Sequence, residues 1–390
     1  MSKIESLIKE LCPDGVEYKF LKDVSVMQRG TSLTKKDATI GNYPVISGGK
    51  EPAFYTDVFN RTGETITVAG SGAGAGYVQY WNTPVFVCDA FSVKGTKMVS
   101  VKYLYYCLVN IQDKIYATKK GGGVPHVHIS SIDRFSIPVP PLPVQEEIVR
   151  ILDNFTELEK ELEKELEKRK KQYEYYRNKL LSFSEIGGGT QVKWVRMNEI
   201  FSIKNGYTPS KSNPDYWTKG TIPWFRMEDI RTNGRILSDS IQHITPAAVK
   251  GGKLFPANSI IVATTATIGE HALIIADSLA NQRFTFLTRR ESLSIDLDMK
   301  YVFYYMFIVD EWCKNNTNVS GFASVDMNKF KNYLLPIPPI AEQERIVSIL
   351  DKFEALVNDI SVGLPAEIEA RHKQYEYYRN KLLTFKQKIA

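Results

Sequence analysis

Apolar residues recur at three- and four-residue steps in two long stretches of the chain, a spacing that is typical of amphipathic helices. The first stretch covers residues 143–183 and the second covers residues 342–385. At 1.5 Å per residue, the first would form a helix roughly 60 Å long. Gly363 and Pro365 interrupt the second stretch, and a proline cannot occupy the interior of an unbroken helix. The pattern therefore predicts a kink or a short break near residues 361–365.

Short runs of β-branched and aromatic residues predict strands in the two regions that precede these helices. The predicted strands are residues 65–69, 85–88, 260–263 and 283–288. Shorter helices are predicted at residues 2–11, 98–116 and 296–315, where the helical period returns. Each region is therefore expected to fold as a β-rich α/β or α+β domain.

The chain contains an internal tandem repeat. The segment KQYEYYRNKLL at 171–181 recurs unchanged at 373–383. Upstream, the proline-rich segments 137–141 and 335–339 each lead into a helix start, QEEIVRILDNF at 145–155 and QERIVSILDKF at 343–353. The period, 198 residues between Gln145 and Gln343, is too long for a solenoid. Each copy should therefore consist of a compact domain and a long helix.

These repeats predict an α+β chain with two tandem α/β domains, two long helices and a pseudo-two-fold internal repeat. The predicted division is 1–142 for the first domain, 143–185 for the central helix, 186–340 for the second domain and 341–390 for the C-terminal helix, with a linker at 184–190. Two long apolar stripes in one chain favour pairing as an antiparallel coiled coil. The alternative is two independent helices, each packed on its own domain.

The second domain is longer than the first, and the difference lies in its middle. Val16 and Val192 begin the two domains 176 positions apart, whereas Gln145 and Gln343 are 198 apart, so the second copy carries about 22 extra residues. The predicted strands and helices match between the copies, while the loops between them differ. Divergent loops on a common scaffold are where different specificities would lie.

Composition narrows the class of protein without identifying it. At 390 residues with a net charge of +6, the chain suits two or three soluble domains, and the charge is compatible with a phosphate-bearing partner. Its four cysteines show no CxxC spacing, which argues against a zinc site or a disulfide framework. The N-terminus does not read as a signal peptide, and no apolar run is long enough for a membrane span. A reducing cytoplasm is the expected location.

No motif in the chain predicts catalysis or a bound cofactor. The glycine-rich segment 70–76 follows a predicted strand but leads into another strand-like run instead of the helix that a dinucleotide site needs. It is expected to be either a loop whose backbone approaches a ligand or a plain tight turn. Residues 213–216, Asn-Pro-Asp-Tyr, resemble the Asn-Pro-Pro-Tyr tetrad of amino-methyltransferases but carry Asp at the third position. Because no S-adenosylmethionine motif accompanies them, a loop is predicted there.

Polar, basic and aromatic loop residues are the candidates for contact with nucleic acid, because Arg and Lys bind phosphates and guanine while Asn and Gln read adenine. In the first domain these are Gln28, Arg29, Lys35, Lys36, Lys50, Ser71, Tyr77, Lys119, Lys120, His126 and His128. In the second domain they are Lys204, Tyr207, Lys211, Trp217, Arg226, Thr265, Thr267, Asn281, Gln282, Arg283, Asn318 and Phe322. Any one exposed lysine is more often a solvated charge. His126 and His128 also suggest a metal site, but a surface pair is favoured because no cysteine or carboxylate cluster accompanies them.

Three features of the sequence resemble the specificity (S) subunit of type I restriction–modification systems. They are the proline-rich segments with their helix starts, the repeated KQYEYYRNKLL, and Trp217 followed by Ile222-Pro223-Trp224. The resemblance covers both halves of the chain. It implies two target-recognition domains, each reading one half of a bipartite, asymmetric site on double-stranded DNA. It also implies that the helices set the spacing of the half-sites, with roughly 40–60 Å of helix corresponding to about 12–18 base pairs.

The same resemblance implies which partners the chain has. Two modification (methyltransferase) subunits would dock on the helices and methylate adenine with S-adenosylmethionine, and restriction subunits would add ATP- and Mg-dependent translocation and cleavage. The chain itself would then hold no catalytic residue, cofactor or metal. Two other classes of function stay open at this point: a DNA methyltransferase or nuclease that acts alone, and a protein-only scaffold whose repeated helices are the working parts.

Overall fold

The computed structural model describes residues 3–183, 192–292, 294–318, 323–358 and 362–388. The chain forms two compact units. Unit 1 comprises residues 1–165 together with 366–390, and unit 2 comprises residues 166–365. Each unit therefore contains one of the predicted domains and segments of both long helical regions. The predicted linker at 184–190 lies outside the described residues.

The helices of the described chain are, in order, α1 (Lys3–Leu11), α2 (Leu21–Val24), α3 (Val101–Asn110), α4 (Gln112–Tyr116), α5 (Ile129–Ile132), α6 (Leu142–Leu181), α7 (Met197–Ile200), α8 (Met227–Asn233), α9 (Met299–Asn315), α10 (Met327–Lys331), α11 (Ile340–Asn358) and α12 (Leu364–Leu382). Within the described ranges, no helix is both long and apolar enough to cross a membrane. The predicted helices at 2–11 and 296–315 correspond to α1 and α9. The region predicted as one helix at 98–116 forms two, α3 and α4, which meet at Ile111.

The strands of unit 1 are β1 (Tyr18–Phe20), β2 (Ser25–Arg29), β3 (Tyr43–Ile46), β4 (Phe54–Thr56), β5 (Thr65–Ala69), β6 (Val78–Trp81), β7 (Phe86–Val87), β8 (Ala90–Gly95) and β9 (Ser136–Pro138). They form an antiparallel sheet of order β2-β8-β5-β6, a three-stranded sheet of order β4-β3-β7, and the pair β1-β9. All five residues of β5 are buried, as expected for a strand that reads as a continuous β-branched run.

The strands of unit 2 are β10 (Lys193–Arg196), β11 (Phe201–Asn205), β12 (Ile222–Phe225), β13 (Ile236–Leu237), β14 (His243–Ile244), β15 (Ser259–Ala263), β16 (His271–Ile274), β17 (Leu279–Ala280), β18 (Phe284–Arg289), β19 (Thr317–Asn318), β20 (Ser324–Val325) and β21 (Leu334–Ile337). The main sheet has the order β11-β18-β15-β16-β13, beside a sheet of order β14-β12-β17 and the pairs β10-β21 and β19-β20. Strand order and pairing repeat those of unit 1. The additional edge strand β13, which runs parallel to β16, and helix α8 account for part of the extra length.

The long helices pair antiparallel, as predicted, and the alternative of two independent helices is wrong. In unit 1 the first part of α6 lies against α12, where the rings of Phe155 and Tyr378 are 5.4 Å apart. Glu159 and His372, which lie further along α6 and further back along α12, are 3.3 Å apart. In unit 2 the last part of α6 lies against α11, and Tyr176 stacks on Phe353 with a centroid distance of 5.7 Å.

The predicted interruption of the second helix is confirmed. Helix α11 ends at Asn358 and α12 begins at Leu364, with Val362 and Gly363 in a turn. Pro365 takes the second position of α12, where its missing N–H leaves no helical hydrogen bond unmade. Ser361 lies outside the described residues.

The two copies of KQYEYYRNKLL contribute to different cores. Tyr173 and Leu181 of the first copy belong to the core of unit 2, with Tyr301, Val302 and the other buried residues of α9. Tyr375 and Leu383 of the second copy belong to the core of unit 1. The core of unit 1 is therefore completed by a helix that follows the second domain in sequence, whereas the core of unit 2 is completed by the helix that directly precedes it.

Repeated hydrogen bonds fasten each domain to its long helix. Gln145 is fully buried; its Oε1 accepts from the Ser100 amide at 3.0 Å, and its Nε2 donates to the carbonyls of Met98 and Pro140 at 2.8 Å. Gln343 makes the same three bonds one repeat later, with the Asp298 amide and the carbonyls of Asp296 and Pro338. Because a buried polar group must find a partner, these two glutamines fix the helix start against the segment that leads into α3 or α9.

A second repeated contact uses a carboxylate on the long helix. Tyr106 donates a hydrogen bond to Asp153 at 2.5 Å, and Lys102 forms an ion pair with the same carboxylate at 3.2 Å. In unit 2, Tyr304 and Lys300 engage Asp351 in the same way, at 2.6 and 2.7 Å. Burial and the adjacent carboxylate raise the pKa of both tyrosines above the ordinary range, so both remain neutral donors.

Candidate nucleic-acid interface

In unit 1, four segments meet where the main sheet ends. The Gly70 amide, which follows β5, donates to the carbonyl of Asp89, which precedes β8, at 3.0 Å. The Gly30 amide, which follows β2, donates to the Ala90 carbonyl at 2.9 Å. The Gly70 carbonyl in turn accepts from the Val127 amide at 2.9 Å. We call this meeting point the sheet corner.

Unit 2 builds the same sheet corner from different residues. The Thr264 amide donates to the Arg283 carbonyl at 3.1 Å, and the Gly206 amide donates to the Phe284 carbonyl at 2.9 Å. The Thr264 carbonyl accepts from the Val325 amide at 2.9 Å. Glycine is required at position 206, because an added Cβ would lie 2.3 Å from the Ala280 carbonyl oxygen.

A cleft of about 440 Å³ opens at the sheet corner of unit 1. Its polar lining includes Arg29, Asp89, His126, His128 and Asp133. The imidazoles of His126 and His128 stack in parallel planes with centroids 6.0 Å apart. The Ser71 hydroxyl donates a hydrogen bond to the Asp89 carboxylate. The described part of the chain contains no group of three or more His, Cys, Asp or Glu side chains placed to hold a metal ion.

The predicted contact residues of the first domain fall into two groups. Arg29, Ser71, His126 and His128 come together at the sheet corner. The remainder lie on exposed or half-exposed segments around the domain. In this second group are Gln28, Lys35, Lys36, Lys50, Tyr77, Lys119 and Lys120.

Two of the lysines in that second group lie over aromatic rings. Lys50 is 5.4 Å from the ring centroid of Tyr77, and Lys119 is 4.3 Å from that of Tyr116. Lys120 pairs with His126 through two backbone hydrogen bonds of 2.7 and 3.0 Å, which form a hairpin whose tip contains Gly122 and Gly123. Nothing lies within 4 Å of where their Cβ atoms would be, so the tip is open to a ligand.

In the second domain, Thr265 and Arg283 lie at the sheet corner, and several other predicted residues hold loops together. Trp217 donates to the Ser210 carbonyl at 2.9 Å and packs edge-on against Trp224 at 5.0 Å. Asn281 accepts from the Arg283 amide at 3.0 Å, and Gln282 accepts from the Thr208 hydroxyl. The side chains of Trp217, Asn281 and Gln282 thus support the loops that carry them.

The other predicted residues of that domain are more exposed or already paired. Arg226 forms an ion pair with Glu228 at 3.1 Å, and Tyr207 accepts from the Lys250 amide at 2.7 Å. Lys204, Lys211 and Asn318 are exposed, and Thr267 is half-buried. Phe322 lies outside the described residues.

Sequence reasoning missed Asp89 as a candidate. A search for phosphate contacts favours cations and amides and passes over a carboxylate. The available signal was the alignment of residues 89–91 with residues 281–284, which marks a site where the two copies differ in charge.

Comparison with known proteins identifies the family to which the chain belongs. The family model described as "Type I restriction modification DNA specificity domain" matches residues 13–168 and again residues 190–370. The EcoR124I/EcoR124II specificity subunit of Escherichia coli is 34% identical over 427 residues, covering 99% of this chain and 97% of that protein. The EcoprrI specificity subunit of Escherichia coli is 51% identical over 215 residues, and the match spans 53% of this chain and 54% of that relative.

Solved structures agree with this assignment at the level of the fold. A type I restriction–modification assembly contains a chain that matches with a TM-score of 0.65 and 18% identity, covering 95% of this chain and 97% of that one. The S subunit from M. genitalium matches with a TM-score of 0.55 and 17% identity, over 95% and 96% of the two chains. The chain therefore belongs to the type I restriction–modification DNA specificity family, as a specificity subunit with two recognition domains.

Proposed function

We propose that each recognition domain reads one half of a bipartite, asymmetric target on double-stranded DNA, and that the long helices set the spacing of the half-sites. One observation carries this proposal: the two sheet corners share their backbone hydrogen bonds but present different side chains. Two recognition domains that share a scaffold but differ in their side chains are suited to two half-sites of different sequence. The predicted contact residues of both domains are proposed to bind DNA, and the division at residues 142, 185 and 340 is kept as part of the proposal.

The chain is proposed to be a non-catalytic, cytoplasmic recognition subunit. Its partners in this proposal are two modification (methyltransferase) subunits and restriction (translocase and nuclease) subunits. S-adenosylmethionine, ATP and Mg would be bound by those partners, so this chain supplies recognition and position.

The surface proposed for the modification subunits is the outward side of the repeated KQYEYYRNKLL segments. Tyr175 and Tyr377 occupy equivalent positions and are 60% and 61% exposed. Lys179 and Lys381 lie 5.8 and 5.9 Å from the centroids of the respective rings. Exposed tyrosines beside a cation are frequent anchors in protein interfaces, and two equal patches fit two copies of one partner.

This docking proposal is tested by counting modification subunits on the chain. Mass photometry of the purified complex should show one copy lost with either Tyr175→Ala or Tyr377→Ala, and both copies lost with the double variant. Tyr55→Ala is the matched control, because Tyr55 is 54% exposed but belongs to a recognition domain. Full occupancy in the double variant would contradict the assignment.

The recognition role is tested by single-molecule methylation mapping in cells that carry this chain with its modification subunit. A split, asymmetric adenine motif that disappears when this chain is removed is the expected result. Unchanged methylation in the presence of an assembled complex would refute the recognition role and favour a protein scaffold. A palindromic motif would refute the assignment of two unlike half-sites.

A further inference from the structure

The sheet corner presents the same backbone positions twice, which allows a residue-by-residue comparison of the two domains. Arg29 pairs with Phe91 across β2 and β8, as Asn205 pairs with Thr285 across β11 and β18. Ala69 pairs with Ala90, as Ala263 pairs with Phe284. The register therefore makes Arg29 equivalent to Asn205 and Asp89 equivalent to Arg283.

A further equivalence comes from the loop after β5 and its counterpart after β15. Ser71 forms an isolated bridge with His126, and Thr265 forms one with Ser324. Together with the strand register, this defines four reading positions, occupied by Arg29, Ser71, Asp89 and His126 in the first domain and by Asn205, Thr265, Arg283 and Ser324 in the second.

The residue types at these four positions differ between the two domains, whereas the residue types that join each domain to its long helix do not. The fastening glutamine, aspartate, tyrosine and lysine are the same residue types in both copies. At the sheet corner, by contrast, a carboxylate in one copy is replaced by a guanidinium in the other. Because the backbone hydrogen bonds are the same in both domains, we attribute this exchange of charge to a difference in the ligand that each sheet corner contacts.

The loop has adapted to the carboxylate. An added Cβ at Gly70 would lie 3.2 Å from Asp89 Oδ1 and 3.1 Å from the Asp89 carbonyl oxygen, so glycine leaves room for this side chain. In the second domain the equivalent residue is Thr264, whose hydroxyl bonds to Thr285 at 3.0 Å. Ser71 occupies one carboxylate oxygen of Asp89, Oδ2, and thereby orients the group.

Asp89 has the wrong charge for binding phosphate. Arg29 and the two histidines line the same cleft, and Lys120, which follows Lys119, pairs with His126 through the backbone. Neither Asp89 nor Arg29 forms an ion pair with another residue that the structure describes. On a surface that faces DNA, a carboxylate is repelled by phosphates and is favourable only opposite a hydrogen-bond donor. In the major groove, the cytosine N4 amino group is the donor that Asp and Glu side chains recognise.

We propose that these four positions are the specificity-determining set of each domain, and that Asp89 accepts a hydrogen bond from cytosine N4 of a G·C pair in the first half-site. Arg29 donates to guanine O6 and N7 beside it, which is the commonest specific contact of arginine. At the equivalent position of the second domain, Arg283 donates to a guanine. This inference rests on the proposed recognition of DNA and adds the base pair that the first domain reads.

The test is methylation mapping with the complete complex and the variants Asp89→Asn, Arg283→Ala and Asp23→Asn. Asp89→Asn removes the charge but keeps the shape, so one G·C position should become degenerate while the rest of the motif stays. Discrimination at that position should fall roughly 5- to 150-fold, the usual range for one good base contact. Arg283→Ala should relax one position in the other half-site. Asp23 is an exposed aspartate of the same unit, and its variant should keep the wild-type motif.

The outcomes separate this inference from the proposed function. If the wild-type chain directs no motif, the proposed function fails. If the wild type directs a bipartite motif and Asp89→Asn leaves it unchanged, only the inference fails. It also fails if the half-site relaxed by Asp89→Asn is the one relaxed by Arg283→Ala.

One further result needs a binding measurement. If Asp89→Asn abolishes methylation, the purified complex is titrated with DNA duplexes instead. For each G·C pair of the half-site, four duplexes are used that differ only in the base pair at that position. Preferential loss of affinity for the cognate duplex supports the inference, whereas equal weakening on all four overturns it.

Discussion

Replacement of Gln145 with methionine should loosen the first recognition domain from its long helix. The two side chains are similar in length, so the change leaves little cavity. It removes all three hydrogen bonds of a fully buried side chain. The Ser100 amide and the carbonyls of Met98 and Pro140 would then lose a partner inside the protein.

The magnitude follows from the number of groups left without a partner. The net contribution of one intramolecular hydrogen bond is about 0.5–1.5 kcal/mol, so the loss of all three costs about 3 kcal/mol. This is a large fraction of the 5–15 kcal/mol that typically stabilises a folded domain. In terms of equilibrium, about 3 kcal/mol corresponds to a roughly 100-fold larger population of the locally open state.

Hydrogen exchange measured by mass spectrometry is the suitable assay, because it reports local opening within one chain. Amides of α3, which begins immediately after Ser100, should exchange about 100-fold faster in Gln145→Met. Amides of α9 should keep their protection, because Gln343 still makes the equivalent bonds in unit 2. The reciprocal variant Gln343→Met should reverse the pattern.

The reasoning would be refuted by either of two results. Unchanged protection of α3 in Gln145→Met would mean that the three bonds contribute little to the stability of unit 1. Equal loss of protection in α3 and α9 with either variant would mean that the contacts do not act locally within each unit.

Three further predictions concern charge, DNA affinity and backbone space. Hydrogen bonds from Arg150 and Lys3 lower the pKa of Glu147 to about 2, so the ionised carboxylate stabilises the folded chain. The wild type should therefore be more stable than Glu147→Gln above about pH 4.5, and this difference should vanish as the pH falls toward 2. Unfolding curves of both proteins across that range will measure it. Lys119→Ala and Lys120→Ala should each reduce the slope of log affinity for DNA against log salt concentration by about 1, and a slope equal to wild type would exclude a phosphate contact. Gly15→Ala should lower the melting temperature, because φ is +102° and the new Cβ would lie 2.4 Å from a backbone oxygen of the C-terminal segment; a wild-type melting curve would contradict this.

The sequence was sufficient to predict the repeated architecture, because its signals are local. The predicted strand at 65–69 is β5 to the residue, since a β-branched run bounded by glycine is self-contained evidence of a strand. Gly363 and Pro365 similarly located the end of one helix and the start of the next. The identical KQYEYYRNKLL copies predicted two helices, but not which domain each one covers, because that depends on the path of the chain.

The sheet corner shows what could not be predicted from the sequence. Arg29 and Ser71 were among the predicted contacts because each carries a hydrogen-bonding group in a loop. Their relation to Asp89, and the equivalence of Asp89 with Arg283, depend on strand register. Register is set by pairing between segments that are distant in sequence, so a single chain without its sheet order does not reveal it. The edge strand β13, only two residues long, carries too weak a pattern to be recognised.

The assignment of α12 to the core of unit 1 has a consequence for the order of biosynthesis. Unit 1 is built from residues 1–165 and 366–390, and its core includes Tyr375 and Leu383 near the end of the chain. A ribosome adds the intervening 200 or so residues in roughly 10–40 s, at about 5–20 residues per second. The recognition domain that is translated first is thus the last to be finished. Throughout that interval the apolar surface that α12 covers lacks its partner helix, and exposed apolar surface of this kind makes an incompletely folded chain prone to aggregate.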